Sequence, residues 1–258
     1  MIVSASAREV QGGGDVRKAF AHVENWIFDL DDTLYPRSIG LHEQLRRRVV
    51  AFIANHVKID LAAAEAMHLD YYERFGSTLQ GMVELHGAAP EEFLDFVHDI
   101  ELSALFPNER LISGLSALPG KRIVFTNASR RHASAALAAM GLSDVFDVVA
   151  SIEDSGFVGK PHRSAFEKLF LMHGIEPAAS AMFEDRPGNL IVPHEFGMRT
   201  ALVVDPILHL DRSNDAQKPD HVDVVVTNLA VFLDRTAIQA RVRKERNAAS
   251  ALRRKLVQ

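Results

Sequence analysis

Two rhythms alternate along this chain. Short apolar runs recur at Val23–Asp29, where Trp26-Ile27-Phe28 is uninterrupted, and at Arg122–Thr126, Val145–Ala150, Ala181–Glu184, Thr200–Val204 and His221–Val226. Runs of this length read as strands covered on both faces. Helical spacing fills most of the gaps between them. Ser129–Met140 is one such segment, with Gly141 as its stop, and Phe166, Leu169, Phe170 and His173, ended by Gly174, form another. Strand and helix in turn predict an α/β fold: a Rossmann-like core whose parallel sheet is flanked by helices.

The interval from Tyr35 to about Leu115 breaks this rhythm. Leu41, Leu45, Val49, Phe52 and Ile53 mark one helix, Leu61–Phe75 a second, and Phe93, Phe96, Val97 and Ile100 a third behind Pro90. No strand pattern appears there, so an all-helical block interrupts the α/β domain directly after its first strand. Ligands of open α/β sheets sit at the carboxyl ends of strands, and an insertion at that edge would form a lid. The expected organisation is an N-terminal segment over 1–21, a core built from 22–36 and 114–235, a helical cap over 37–113, and a basic C-terminal helix over 236–258.

Composition narrows the classes. The 258 residues are 47% hydrophobic, enough for a full core. The absence of cysteine excludes disulfide frameworks, thiolate metal sites and cysteine nucleophiles, and fits a reducing cytosol. No run reaches the roughly 18 apolar residues of a membrane span, and Gly12-Gly13-Gly14 breaks any leader-like helix. A soluble, cytoplasmic protein is expected. The net charge of −5 hides an asymmetry: from Arg235 onward eight Arg or Lys face one Glu, a net +7, which leaves −12 on residues 1–234. An acidic body is a poor nucleic-acid scaffold. The tail reads first as a solvated terminal helix.

The chemistry concentrates at strand ends. Phe28-Asp29-Leu30-Asp31-Asp32-Thr33-Leu34 ends an apolar strand in three acids within four residues. Like charges gathered there repel unless a cation or a shared proton joins them. A bare Asp-x-Asp is also compatible with a helix N-cap cluster. Downstream, Ile123-Val124-Phe125 runs into Thr126-Asn127, offering a hydroxyl and backbone N–H groups for phosphate oxygens. Lys160 precedes Pro161 with a point positive charge, and Ala181-Met182-Phe183 runs into Glu184-Asp185. Acid, hydroxyl, lysine and acid, each at a strand edge, are more specific together than any one alone.

In order and spacing, Asp29-x-Asp31-x-Thr33, Thr126, Lys160 and Glu184-Asp185 resemble the four motifs of the haloacid dehalogenase-like (HAD) hydrolases, over about residues 24–227. The resemblance implies a hydrolase that needs Mg2+ and forms an aspartyl-phosphate. Asp29 would be the nucleophile, and Asp31 the acid for the leaving alcohol and then the base for water. Thr126 and Lys160 would orient the phosphoryl oxygens. Asp185 would hold the metal with Asp29 and the Asp31 carbonyl, and Glu184, where many relatives have aspartate, would reach it through water.

Longer strings are similar to the pyrimidine 5′-nucleotidase branch: Phe28-Asp-Leu-Asp-Asp-Thr-Leu-Tyr-Pro36, Tyr72 with Gly76-Ser-Thr-Leu-Gln-Gly81, Thr126-Asn-Ala-Ser-Arg-Arg-His-Ala133, and Phe183-Glu-Asp with Asn189 and Pro193-His194. They imply a nucleoside monophosphate such as UMP or CMP as substrate, with Tyr35 and Asn127 as candidate contacts. Tyr71, Tyr72, Phe75 and His132 are further residues able to stack on or bond a nucleotide, though for each one singly, as for Tyr35, a core or rim packing role is the first reading. Sugar-phosphate or phosphoglycolate phosphatases and phosphomutases share the four motifs. A dehalogenase would have no use for Asp31. An inactive scaffold that binds partners through its basic tail is the alternative of another class, against which all four motif residues stand intact.

Overall fold

The computed structural model describes residues 19–209 and 218–234. Most of the N-terminal segment and the whole C-terminal basic stretch lie outside the described residues. Strand β1, Asn25–Phe28, is buried along its whole length. It pairs in parallel with β2, Lys121–Phe125, on one side and β4, Ser180–Glu184, on the other. With β3 (Val148–Ala150), β5 (Arg199–Val203) and β6 (Val224–Val226), they form a six-stranded parallel sheet of order β3-β2-β1-β4-β5-β6. The Rossmann-like fold expected from the alternating pattern is present.

Side chains on successive strand residues face opposite ways, and each set joins its own core. Trp26, Phe28, Val124 and Phe183 pack with Ala133, Leu137 and Leu233. Ile27, Ile123, Phe125 and Met182 pack on the other face with Phe166 and Leu169. Trp26 also donates its indole N–H to Pro119 O, 2.8 Å away. β3 begins three residues later than its apolar run, because the Asp147 carboxylate binds the backbone and guanidinium of Arg122 and ends the pairing there.

Between β1 and β2 the regular structure is helical. Helices α1 (Leu41–Val57), α2 (Leu61–Phe75), α3 (Thr78–His86) and α4 (Pro90–Val97) share a core of Phe52, Ile53, Tyr71, Leu79, Met82, Phe93 and Leu94. Helix α3 was not anticipated from the periodicity; its Ser77 N-cap accepts from the Gln80 N–H. Gly81 is required within it, since a Cβ there would stand 2.6 Å from the Tyr71 ring. Helix α5, Glu109–Ser116, buries Leu111 and Leu115 against the sheet, where Leu105 and Leu41 also pack. Allegiance to the sheet therefore begins several residues before position 114. Helices α6 (Arg130–Ala139) and α7 (Arg163–His173) follow β2 and β3. No described helix is long and apolar enough to cross a membrane.

The chain leaves β3 at one side of the sheet and re-enters at β4, next to β1. That reversal opens a crevice at the carboxyl ends of β1 and β4, the place where open α/β sheets bind ligands.

Candidate active site

Asp29 directly follows β1, Thr126 follows β2, and Glu184 ends β4. Their position at the sheet's carboxyl edge brings distant parts of the chain into one crevice. Lys160 enters from the loop after β3, with its side chain 1% exposed, and its Nζ lies 2.7 Å from Asp29 Oδ1 and 2.9 Å from Glu184 Oε1. Glu184 also accepts from the Asn189 amide at 2.6 Å and, on its other oxygen, from the Arg186 N–H at 2.6 Å. Oxygens of Asp29, Glu184 and Asp185 all lie within 4.8 Å of one another.

These charges are unbalanced. Burial pushes the Asp29 carboxyl up, Lys160 pulls it back and Glu184 pushes again, leaving it at about 7. Desolvation and then the charges of Glu184 and Asp29 hold Asp185 at about 10. Against its own burial, Glu184 is kept below the usual carboxylate range by Lys160 and its hydrogen bonds. One lysine cannot neutralise three converging carboxylates, so Asp185 keeps its proton near neutrality and Asp29 is only partly ionised there. Carboxylate oxygens at this spacing suit a hard divalent cation such as Mg2+. The donor set fits the metal.

Asp31 has separate partners. Tyr35 Oη donates to its Oδ1 at 2.5 Å, and His132 Nε2 lies 2.8 Å from the same oxygen. Burial raises Asp31, but the His132 charge and both hydrogen bonds outweigh it and bring the carboxyl down to about 2. The Asp31 charge in turn raises His132 against its burial. His98 stacks on that ring at 4.5 Å, and burial with repulsion from His132 lowers it to about 3, so it is neutral. Asp32, the third acid of the run, turns aside at φ 62°, and its carboxylate lies 3.0 Å from His42 Nδ1 on α1.

Above the acids lies a cavity of about 240 Å³. Its floor includes Asp29, Asp31, Thr126, Lys160, Glu184 and Asp185; its walls include Leu45, Val49, Tyr72, Leu79, Phe93 and Val97 from the helical block. Arg186 lies over the Tyr72 ring at 3.8 Å, joining the loop after β4 to α2.

One expected substrate contact, Tyr35, is corrected, while Asn127 does line the cavity. Tyr35 is buried and does not line the cavity; its hydroxyl is spent on Asp31. The Asn127 side chain is spent too. Its Oδ1 accepts from the Lys160 N–H and its Nδ2 donates to the Lys160 O, both at 2.8 Å, so it clamps the lysine's backbone. A Cβ at Gly159 would stand 2.5 Å from Asn127 Oδ1, which explains the glycine there. The four motif positions do converge. Missed were His98, which no local pattern marks, and the attachment of His132 to Asp31, hinted at only by its place in the helix after Thr126.

Residues 25–197 match the family description haloacid dehalogenase-like hydrolase. This chain belongs to that family. It is 26% identical over 192 residues to phosphate metabolism protein 8 of Saccharomyces cerevisiae, covering 67% of this chain and 59% of that protein. The chain thus spans about three fifths of the length of this curated relative. A HAD phosphatase from Thermococcus onnurineus superposes with a TM-score of 0.53 at 19% identity, over 81% of this chain and 96% of that one. The L-2-haloacid dehalogenase of Xanthobacter autotrophicus gives 0.51 at 19% identity, over 82% and 97%. At such identities these two show a common fold only.

The charge imbalance in this HAD hydrolase has a measurable consequence. Asp29 and Asp185 hold their protons more tightly folded than unfolded, so in the metal-free protein these two groups cost stability as pH rises from about 4, through about 7 for Asp29 and towards 10 for Asp185. Magnesium, which must displace those protons, should raise Tm more at about pH 8 than at pH 5. Asp185→Asn should raise Tm in EDTA at pH 8 and abolish the magnesium-dependent rise. A lower Tm in EDTA, or a magnesium shift that survives, would contradict this charge assignment.

Proposed function

We propose that this HAD hydrolase cleaves phosphomonoesters through an aspartyl-phosphate on Asp29. The observation that carries the reading is the junction of Asp29 with Lys160 and the Glu184–Asp185 pair beneath a cavity with an apolar wall. Asp29 attacks phosphorus from the end of β1. Lys160 and the Thr126 hydroxyl hold phosphoryl oxygens, and Asp31 gives a proton to the departing alkoxide and then takes one from water. An incoming phosphate dianion raises Asp31 from its resting position and lets it carry that proton. Asp29, Asp185 and the Asp31 carbonyl would hold Mg2+, with Glu184 beside them; the ion would supply positive charge to offset that of the phosphoryl group. The helical block acts as the cap. An acid two residues after the nucleophile serves ester cleavage and has no task in halide displacement.

The substrate we infer is a pyrimidine nucleoside monophosphate. Gly76, Ser77, Thr78 and Leu79, from the string resembling the pyrimidine nucleotidases, are in the cavity wall, beside Tyr72 and Phe93. Ser77 uses its oxygen as the α3 cap and keeps a hydroxyl proton for a base edge. Polar groups left unpaired by the wrong base discriminate more strongly than the ~10–200-fold of an apolar pocket.

Turnover of p-nitrophenyl phosphate with magnesium should be abolished by Asp29→Asn and by chelation. Normal turnover of Asp29→Asn rules out the covalent mechanism, and normal turnover under chelation rules out the metal assignment. Across a substrate panel, UMP or CMP should show a higher kcat/KM than AMP, GMP, phosphoglycolate or glucose phosphates. If purine nucleotides or phosphoglycolate lead, the pyrimidine assignment falls while the phosphatase reading stands.

A further inference from the structure

The Asp31 carboxylate is held on one side only. Both of its hydrogen bonds, from Tyr35 Oη and His132 Nε2, fall on Oδ1, and among the described residues none falls on Oδ2. An ionised carboxylate can only accept, so both partners are donors here. Each donor is itself fixed. The His132 side chain is 1% exposed. Its ring stacks on His98, and its backbone N–H reaches Ser129 Oγ at 3.3 Å. The same hydroxyl bonds His98 Nδ1 at 3.0 Å, which ties the two rings to the first turn of α6. Tyr35 is packed in the core against the sheet. Turning the carboxylate about its terminal torsion would break two hydrogen bonds to buried donors at once, although that torsion is ordinarily soft.

The geometry points to His132 and Tyr35 as positioning residues that reserve Oδ2 of Asp31 as the atom through which the proton passes. This rests on the phosphatase reading above. In the first step an Asp29 oxygen bonds to phosphorus. The bond from phosphorus to the ester oxygen breaks, its electron pair stays on that oxygen, and the proton on Asp31 Oδ2 moves there. In the second step a water oxygen bonds to phosphorus while one of its protons goes to Oδ2. The Asp29–phosphorus bond breaks and returns its pair to the carboxylate. Neither His132 nor Tyr35 touches the substrate; each acts by holding Oδ1.

A series of phosphomonoesters differing in their leaving group tests this. Dinitrophenolate leaves without a proton, whereas the alkoxide of a nucleoside 5′-phosphate must be protonated as it leaves. The readout is kcat/KM, which excludes the later hydrolysis of the aspartyl-phosphate. His132→Leu, which keeps bulk and removes the donor, should lower kcat/KM for the nucleotide by about 10²–10⁴, the usual weight of positioned acid catalysis. The loss with dinitrophenyl phosphate should be under about tenfold, since that step does not draw on the acid. His132→Gln, which returns an N–H donor at similar reach, should recover most of the nucleotide activity. Tyr35→Phe, the loss of a single hydroxyl from a buried ring, should show the same leaving-group bias to a lesser degree, and it serves should the histidine variants fail to fold. Equal losses for every leaving group in Tyr35→Phe and in each folded His132 variant would make the two residues structural only and overturn the inference. A wild-type enzyme inert towards all the esters with magnesium would overturn the phosphatase reading, and this inference with it.

Discussion

Everything in this structure is arranged around one buried amine. Lys160 Nζ sits between the carboxylates of Asp29 and Glu184, with almost no solvent access. Burying charge costs several kcal/mol per ion before attraction offsets it, so the cluster persists only because other groups hold it in place. Asn127 clips the lysine's backbone at both N–H and carbonyl, Gly159 leaves room for that clip, and Asn189 with the Arg186 N–H fixes Glu184. The sheet contributes the starting positions: adjacent parallel strands β1 and β4 deliver Asp29 and Glu184 side by side, and only the switch in strand order leaves space above them.

The acids outnumber the lysine, and that surplus separates stability from chemistry. A fold selected for stability alone would not raise Asp29 and Asp185 so far above their ordinary range. The three gathered carboxylates could hold a cation. The helical block supplies the opposite character, with apolar side chains over the acids. Contacts near the end of α2 tie it to the core: Tyr72 under Arg186, the Phe75 carbonyl to His162, and Gly76 close against Pro161. At Gly76 φ is +75° and a Cβ would meet Pro161 at 2.7 Å, so that glycine answers to backbone and packing demands. The glycines of this distinctive string are therefore explained by structure.

Much of this was legible in the sequence because burial writes itself as pattern. The strands of a doubly covered sheet must be continuous apolar runs, and polar residues at their ends mark the carboxyl edge; Asp29, Thr126 and Glu184 were visible for that reason. Partners were harder to read. A side chain's type fixes what it can bond and not what it does bond, so the side chains of Tyr35 and Asn127 looked open to a ligand and are bonded to Asp31 and to the Lys160 backbone. Their hydrogen bonds had been allotted within the protein. His98 carried no signal, since its meaning depends on a ring contact with His132 across the boundary between helical block and sheet. Helix α3 was hidden because its glycine at position 81, disfavoured by propensity, is demanded by the tyrosine ring packed on it.

The central claim is that phosphorus is attacked twice, first by Asp29 and then by water. The most direct test is the stereochemical course at phosphorus, followed with an isotopically chiral phosphorothioate ester hydrolysed in oxygen-labelled water. Each in-line displacement inverts the centre, so the covalent route predicts overall retention. Net inversion would mean that water attacks the ester directly, and would contradict the nucleophilic role of Asp29.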